Sequence, residues 1–487
     1  MLEQFSGLRE FLTLSYQELE LKNLEFKELR TSGKSAEFFQ KKVIAYLAGE
    51  KRVKAVTIAF CDLEGKLHML DYDKKFFLES YENLTFDGSS VRGFTPQSES
   101  DLRFKVDWSS FRWLPADIFG SGKVIIFAFV REQDGSQYPS DFRGRLAEYL
   151  EELQKKHGYT AYLSPEVEGF LLEGIDAEQN YYSDTGFQLV TKGGYFSALP
   201  QDPLRRFIDT VAEVQRSMAF ENEKDHGEVG PSQFEINFKY GEVLQICDQI
   251  LLYKLIARQV AKLMGYTATF LPKPVSGING SGMHCNMSIN SGKKNLFYDR
   301  QRTDGISALA EKFLTGILYY APELCLTINP SVNSYRRLDP HFEAPNEIMR
   351  SAKNRGAMIR IPIGNERSAR IEVRSVAPDT NPYLGIFSIL KAGFSAIEAS
   401  EKDYKNMLQV ALKNPVRKLW GNIYEATASF AGSAFLKKAL GDESHAKYLA
   451  LKEQAAARSP KELGAKIKTG EIIYHHEVTN QMLWNSF

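Results

Sequence analysis

Met283-His-Cys-Asn-Met-Ser-Ile289 decides how this chain of 487 residues is read. Successive side chains of a strand point to opposite faces. His284, Asn286 and Ser288 therefore fall on one side, and Met283, Cys285, Met287 and Ile289 on the other. Three more stretches alternate in this way. Pro165-Glu-Val-Glu-Gly-Phe170 puts Glu166 and Glu168 on one face; Phe234-Glu-Ile-Asn-Phe238 opposes Glu235 and Asn237 to three apolar residues; Arg370-Ile-Glu-Val-Arg374 sets Arg370, Glu372 and Arg374 against Ile371 and Val373. A half-solvated sheet alternates like this with no function at all. These polar sides, however, hold several Glu, one His and Arg, and neither Thr nor Lys. With Glu228 added, Glu166, Glu168, Glu235, Glu372 and His284 make six possible ligands for hard cations such as Mg²⁺ or Mn²⁺, which take carboxylate oxygens and keep positions for a phosphate. Five carboxylates facing one another without cations would repel. Spacing alone leaves both readings open.

Working outward, strands are expected at 161–173, 234–239, 283–290 and 370–375, and helices at 141–157, 202–221, 243–264, 304–321, 343–354 and 382–399. The helix at 243–264 rests on Leu244, Cys247, Ile250, Leu251, Leu255 and Val260, spaced by three to five. Before residue 141 the pattern is mainly of strands. Val53 to Ala59 and Lys66 to Asp71 flank the turn Asp62-Leu-Glu-Gly65, and Val124 to Val130 reads as a buried strand. The fold class is α+β: a helical extension at 1–34, a small β-rich domain at 35–140 and a large mixed domain at 141–487. In the extension, Leu12, Tyr16, Leu19 and Phe26 form a loose helical stripe, read as a surface helix or an oligomer contact.

Sixty-one Lys and Arg balance sixty-one Asp and Glu, so bulk charge gives no support for a nucleic-acid or membrane-surface protein. The four cysteines form no CxxC pair, which argues against a disulfide framework or a zinc ribbon. The longest strongly apolar run, Val124 to Val130, is far short of the roughly 20 residues of a membrane span. The first residues lack signal-peptide character. A soluble, cytoplasmic protein is expected.

A cationic cluster follows residue 335. Arg336, Arg337, Arg350, Lys353, Arg355, Arg360, Arg367, Arg370 and Arg374 fall within 39 residues. Guanidinium forks suit phosphate and carboxylate, and with nearby divalent cations they suit phosphoryl transfer; a solvated helix face is the plainer reading for Arg350 and Lys353. Gly120-Ser-Gly-Lys123 lacks the Gly and Ser/Thr positions of a phosphate loop, and Gly277-Ile-Asn-Gly-Ser-Gly282 lacks GxGxxG spacing.

Taken in order, these segments resemble the glutamine synthetase family, closest to its long bacterial class, over roughly residues 35–487. The resemblance rests on Phe86-Asp-Gly-Ser-Ser90 with Glu99-Ser-Asp101, on Lys273-Pro-Val-Ser-Gly-Ile-Asn-Gly-Ser-Gly-Met-His284, and on Asn329-Pro-Ser-Val-Asn-Ser-Tyr-Arg-Arg337, Phe342-Glu-Ala-Pro345 and Asn381-Pro-Tyr-Leu384. It implies a β-grasp-like first domain and a catalytic domain with a curved antiparallel sheet. It implies an ATP-dependent ligase that joins ammonia to the γ-carboxyl of L-glutamate through γ-glutamyl phosphate, using two or three Mg²⁺ or Mn²⁺.

By matching position, Glu168, Glu228 and Glu235 would hold one metal, and Glu166, His284 and Glu372 the second. Arg355 would neutralise the phosphoryl group in transfer. Asp87, as base, would form the ammonium site with Ser90, Tyr195 and Glu228. Glu343 would be a closing flap. Asn279, Gly280, Arg337, Glu343 and Arg374 would hold glutamate; Glu223, Asn286, Ser288, Arg355, Arg360 and Arg367 would hold ATP. The partners implied are further copies of the chain in two stacked six-membered rings with sites shared between neighbours, and neither nucleic acid nor membrane.

Four features depart from the family. Asn286 stands where a second His is usual, Gly227 replaces a His before Glu228, the loop between Arg360 and Arg370 that carries Arg367 is one residue short, and no stretch around Tyr404 matches the tyrosine that some relatives adenylylate. The first 34 residues have no counterpart. Two other functions remain in view: a ligase of glutamate to a polyamine or other amine, and a relative without catalysis.

Overall fold

Every second residue of Ala55–Cys61 (β1) belongs to a different hydrophobic core. Val56, Ile58 and Phe60 pack into a smaller core, Ala59 and Cys61 into a much larger one. Lys123–Arg131 (β5 below) divides the same way, with Val124, Ile126, Ala128 and Val130 in the smaller core and Ile125 and Phe127 in the larger. This is why Val124 to Val130 reads as a continuous apolar run, and why β1 is buried from Val56 onward, even at Thr57: their sheet is covered on both faces. The computed structural model describes residues 14–178, 186–302, 304–338 and 344–457.

The first sheet is built from β1, Leu67–Asp73 (β2), Thr85–Asp87 (β3), Asp101–Val106 (β4) and Lys123–Arg131 (β5), in the order β2-β1-β5-β4-β3, with the short Arg112–Trp113 strand also paired to β5. β1 and β5 are parallel and the other pairs antiparallel. Two helices, Tyr16–Thr31 (α1) and Ala36–Gly49 (α2), cover its outer face. Leu19 and Phe26 of α1 are buried there, and Phe26 meets Phe39 and Trp113 at ring-centroid distances of 5.6 and 5.8 Å. Of the stripe expected in the extension, Leu19 and Phe26 are thus buried within the chain and Tyr16 is half-buried; Leu12 lies outside the described residues.

The second sheet comprises Thr160–Glu173 (β6), Asn222–Gly227 (β7), Gln233–Phe238 (β8), Tyr266–Thr269 (β9), Met283–Ser291 (β10), Glu347–Ser351 (β11), Ala357–Arg360 (β12) and Ile371–Val373 (β13), with the path β11-β12-β13-β10-β6-β8-β7 and β9 alongside β6. Only β11 and β12 are parallel in that path. Helices Phe142–His157 (α3), Pro203–Ser217 (α4), Val243–Leu263 (α5), Ala308–Ile328 (α6) and Pro382–Ile397 (α7) pack with it around the larger core. The two sheets are tied by buried polar contacts. Arg143 of α3 bonds Asp248 of α5 at 2.8 and 2.9 Å and Asp107 of the first domain at 2.7 Å.

The expected helix at 343–354 is not formed in its described part, where β11 occupies Glu347–Ser351. Its backbone is claimed from outside: Glu347 N–H donates to Gly356 O at 3.0 Å and Ile348 N–H to Arg417 O at 2.8 Å. Tertiary pairing here overrides local propensity. α6 runs past the expected end at residue 321, straight through Pro322. A proline cannot donate to the carbonyl four residues back, and Arg417 Nη2 bonds that Leu318 carbonyl instead. α4 stops at Ser217, short of residue 221, because Ala219 adopts left-handed backbone at φ 58°.

Candidate active site

Register brings the acids together. Across β10 and β6, His284 pairs with Glu166; across β6 and β8, Glu168 pairs with Glu235; across β8 and β7, Glu235 pairs with His226. On the other side of β10, Asn286 pairs with Glu372, which pairs with Arg360. One polar face thus crosses six strands and floors a cavity of about 830 Å³.

The acidic residues fall in two groups. Glu166, His284 and Glu372 each offer a ligand atom within 4.8 Å of the others. His284 Nδ1 lies 3.3 Å from Glu166 Oε2 and 3.8 Å from Glu372 Oε1. Burial alone would push the Glu166 carboxyl up, but its hydrogen bond to His284 and that ring's charge hold it down at about 2. Burial would lower the His284 ring, yet Glu166 and Glu168 raise it.

The second group is His226, Glu228 and Glu235, again within 4.8 Å. His226 Nδ1 stands 3.4 Å from Glu228 Oε1, and its Nε2 stands 3.6 Å from Glu235 Oε1. Burial followed by the charge of Glu168 raises Glu228 to about 7; burial followed by Glu168, Glu166 and Glu228 raises Glu235 to about 8. Glu168 lies between the groups. It accepts from Gln233 Nε2 at 3.1 Å and from Gly282 N–H at 2.9 Å.

Five carboxylates and two imidazoles of this kind suit hard divalent cations. Two observations support the fit. Burial and then like charge drive Glu228 and Glu235 toward the neutral form, which a cation would reverse. His226 Nε2 is buried with no hydrogen-bond partner.

Arginines form the opposite wall. Arg360 Nη1 holds Glu372 Oε2 at 2.7 Å, Arg374 Nε stands 3.2 Å from Glu372 Oε1, and Arg370 Nε donates to Asn286 Oδ1 at 2.9 Å. Arg337 Nη2 donates to Arg374 O at 2.9 Å, and its Nη1 is buried without a hydrogen-bond partner. Gly282 leaves room for this packing: a Cβ there would lie 2.5 Å from Arg337 Nη2 and 3.0 Å from His284 Nε2. Lys353, Arg355 and Arg367 also line the cavity. Of the cationic cluster, Arg336 and Arg350 do not. Arg336 is exposed, and Arg350 pairs with Asp304 and Glu311 at 3.2 and 2.7 Å.

Tyr195, Glu223, Asn279, Gly280 and Ser288 complete the expected residues that line the cavity. Asp87 and Ser90 do not line it. They lie exposed at and just after the end of β3, where Asp87 accepts from Ser90 Oγ and Ser89 Oγ at 2.6 Å and from Ser89 N–H at 2.9 Å. Those serine hydroxyls hold the Asp87 carboxyl below its usual range. Glu343 lies outside the described residues. His226 and Gln233 were not anticipated. His226 had one readable signal: two residues before Glu228, it would share that residue's face if the strand continued.

Comparison with known proteins finds the family. Residues 52–132 match the family model described as glutamine synthetase, beta-Grasp domain, and residues 139–465 the one described as glutamine synthetase, catalytic domain. A glutamine synthetase of Methanosarcina mazei is 36% identical over 416 residues, covering 83% of this chain and 91% of the relative. One of Thermotoga maritima is 34% identical over 432 residues, covering 87% and 96%. Among solved structures, the glutamine synthetase of Plasmodium falciparum superposes with a TM-score of 0.77 at 22% identity over 89% of this chain and 98% of that one, a likeness of fold. A GmaS solved as its ADP complex superposes with a TM-score of 0.73 at 26% identity, covering 88% and 97%.

Proposed function

This chain belongs to the glutamine synthetase family, and from that premise we propose that it is a glutamate–ammonia ligase driven by ATP. The observation that carries the reading is one cavity in which Glu166, His284 and Glu372, and beside them His226, Glu228 and Glu235, face a wall of arginines. Phosphoryl transfer needs that combination, since positioning and charge neutralisation supply most of its catalysis.

The two acidic groups would hold two divalent cations, Mg²⁺ or Mn²⁺, with Glu168 shared between them. When bound, such ions neutralise the carboxylates and polarise the terminal phosphoryl group of ATP. Glu223, Asn286, Ser288, Arg360 and Arg367 bind the nucleotide. Asn279, Gly280, Arg337 and Arg374 orient glutamate, with the buried Arg337 Nη1 free to take a carboxylate oxygen. A γ-carboxylate oxygen of glutamate attacks the γ-phosphorus, and ADP leaves. Arg355 offsets the charge in flight. Ammonia then attacks the γ-carbonyl carbon of γ-glutamyl phosphate, and inorganic phosphate departs.

The nucleophile arrives as ammonium and must lose a proton. Asp87, kept ionised by its serine partners, suits that cation and accepts the proton, with Ser90, Tyr195 and Glu228 around it. Asp87 does not line the cavity of its own chain, so we assign it to the cavity of a neighbouring copy, in a homo-oligomer of two stacked six-membered rings. Glu343 closes over the acyl phosphate and excludes water. The division at 35–140 and 141–487 belongs to this reading. No helix among the described residues is long and apolar enough to cross a membrane, and we place the enzyme in the cytoplasm.

The test is phosphate release from ATP with glutamate and Mg²⁺, with ammonium or with each of a panel of amines. Release should depend on ammonium and match glutamine formed one for one. Release with another amine alone would replace ammonia as substrate, and none with either metal would end the ligase reading.

A further inference from the structure

Strand β7 enters the cavity from a turn in which two non-glycine residues hold left-handed backbone, Ala219 at φ 58° and Glu221 at φ 55°. Such backbone persists only where its surroundings hold it. Part of that hold comes from α1, which precedes the matched residues 52–132. Lys27 Nζ donates to Ala219 O at 3.1 Å and pairs with Glu221 Oε2 at 2.5 Å. Lys239 takes the other Glu221 oxygen at 2.8 Å. One helical turn before Lys27, the buried Asn23 donates to Ser217 O at 2.9 Å. α1 therefore grips the turn at both ends.

Glu223 follows two residues later, at an interruption of the ladder. Pairing of β7 with β8 shifts register between Asn222 and Lys224, around Glu223. A bulge of this kind re-aims the side chain it carries. Beyond it, pairing runs on to Gly227 opposite Phe234, and Glu228 N–H donates to Gln233 O at 2.8 Å. The Glu228 end of β7 is thus set by an unbroken ladder. At the Glu223 end the ladder resumes only with Asn222 opposite Phe238 and with Lys239 N–H donating to Glu221 O at 2.9 Å, and the turn that Lys27 clamps shares the hold.

We propose that Lys27 is a positioning residue for the nucleotide end of the cavity: by clamping the turn at 219–221 it aims Glu223. This rests on the assignment of Glu223 to the nucleotide made above. Steady-state kinetics of the full chain as wild type, Lys27→Met and Lys27→Arg test it. Lys27→Met should raise KM for ATP about three- to tenfold, below the hundredfold that a misplacement of about 1 Å can cost. Its kcat at saturating ATP and its KM for glutamate should stay within about twofold of wild type. Lys27→Arg should recover most of the loss.

An unchanged KM for ATP in Lys27→Met overturns the proposal. So does a parallel fall in every parameter that Lys27→Arg fails to repair. If Lys27→Met does not fold, Glu221→Gln removes the same ion pair and should shift KM for ATP in the same direction; no shift counts against the clamp. If the wild type makes no glutamine, the functional reading fails instead. The clamp is then judged by calorimetry with ATP alone, where Lys27→Met should bind about three- to tenfold more weakly and equal affinity refutes it.

Discussion

Glu166 and Asp87 are both carboxylates that the proposed reaction uses, one to hold a cation and one as a base, and the chain places them by different means. Glu166 sits opposite His284 in an antiparallel ladder and shares a cavity with Glu372, Arg360 and Arg374. Asp87 ends a three-residue edge strand of the other sheet, stands exposed, and bonds its own neighbours Ser89 and Ser90. The acidic groups are finished within one chain. In the proposed reading the ammonium base, Asp87, is presented outward and a neighbouring copy completes the site.

The difference can be broken most severely at its finished end. Glu235→Ala should reduce glutamine formation by at least about a thousandfold, since it leaves Glu228 and Glu168 facing one another without a complete cation site. The melting temperature of the wild type should rise with Mn²⁺ and ATP, as a ligand bound only by the folded state requires, and Glu235→Ala should abolish that rise. A retained rise would show that Glu235 holds no cation.

Asp87→Asn sharpens the comparison. It should lower kcat by about a hundred- to ten-thousandfold, the range of general acid–base catalysis. It should keep the Mn²⁺ and ATP shift in melting temperature. Loss of that shift would place Asp87 within its own chain's nucleotide site and contradict the division.

The smallest effect is expected where the two sheets are joined. Asn23→Ala removes the buried amide that bonds Trp113 N and O at 3.0 Å and Ser217 O at 2.9 Å. It should destabilise the protein by about 1–3 kcal/mol, the cost of leaving such groups unsatisfied. Thermal unfolding measures this; an unchanged melting temperature would mean that α1 is not part of the joint.

How much of this was legible follows from what each residue depends on. The faces of β6, β8, β10 and β13 could be read because alternation is local, and those faces carry most of the acids. Register is not local. Nothing in the sequence says that His284 pairs with Glu166 or Glu168 with Glu235, and the family resemblance supplied what spacing could not. His226 was missed because Asn222–Gly227, Asn-Glu-Lys-Asp-His-Gly, has no apolar alternation to mark it as a strand. β11 was mistaken for a helix because its backbone partners, Gly356 and Arg417, are supplied by tertiary contacts. The clamp on β7 was hidden because Lys27 and Glu221 are far apart in sequence and their meeting depends on how α1 packs.

The central claim is that one chain completes the acidic and nucleotide half of a site whose ammonium half comes from another copy. Mixing Asp87→Ala and Glu235→Ala chains, each inactive alone, after dissociation and reassembly tests it most directly. In an equal random mixture about a quarter of the sites pair an intact Glu235 with an intact Asp87 from the neighbour, and glutamine formation should return toward about that fraction of wild type. Reassembled mixed oligomers that stay as inactive as either parent would contradict the account.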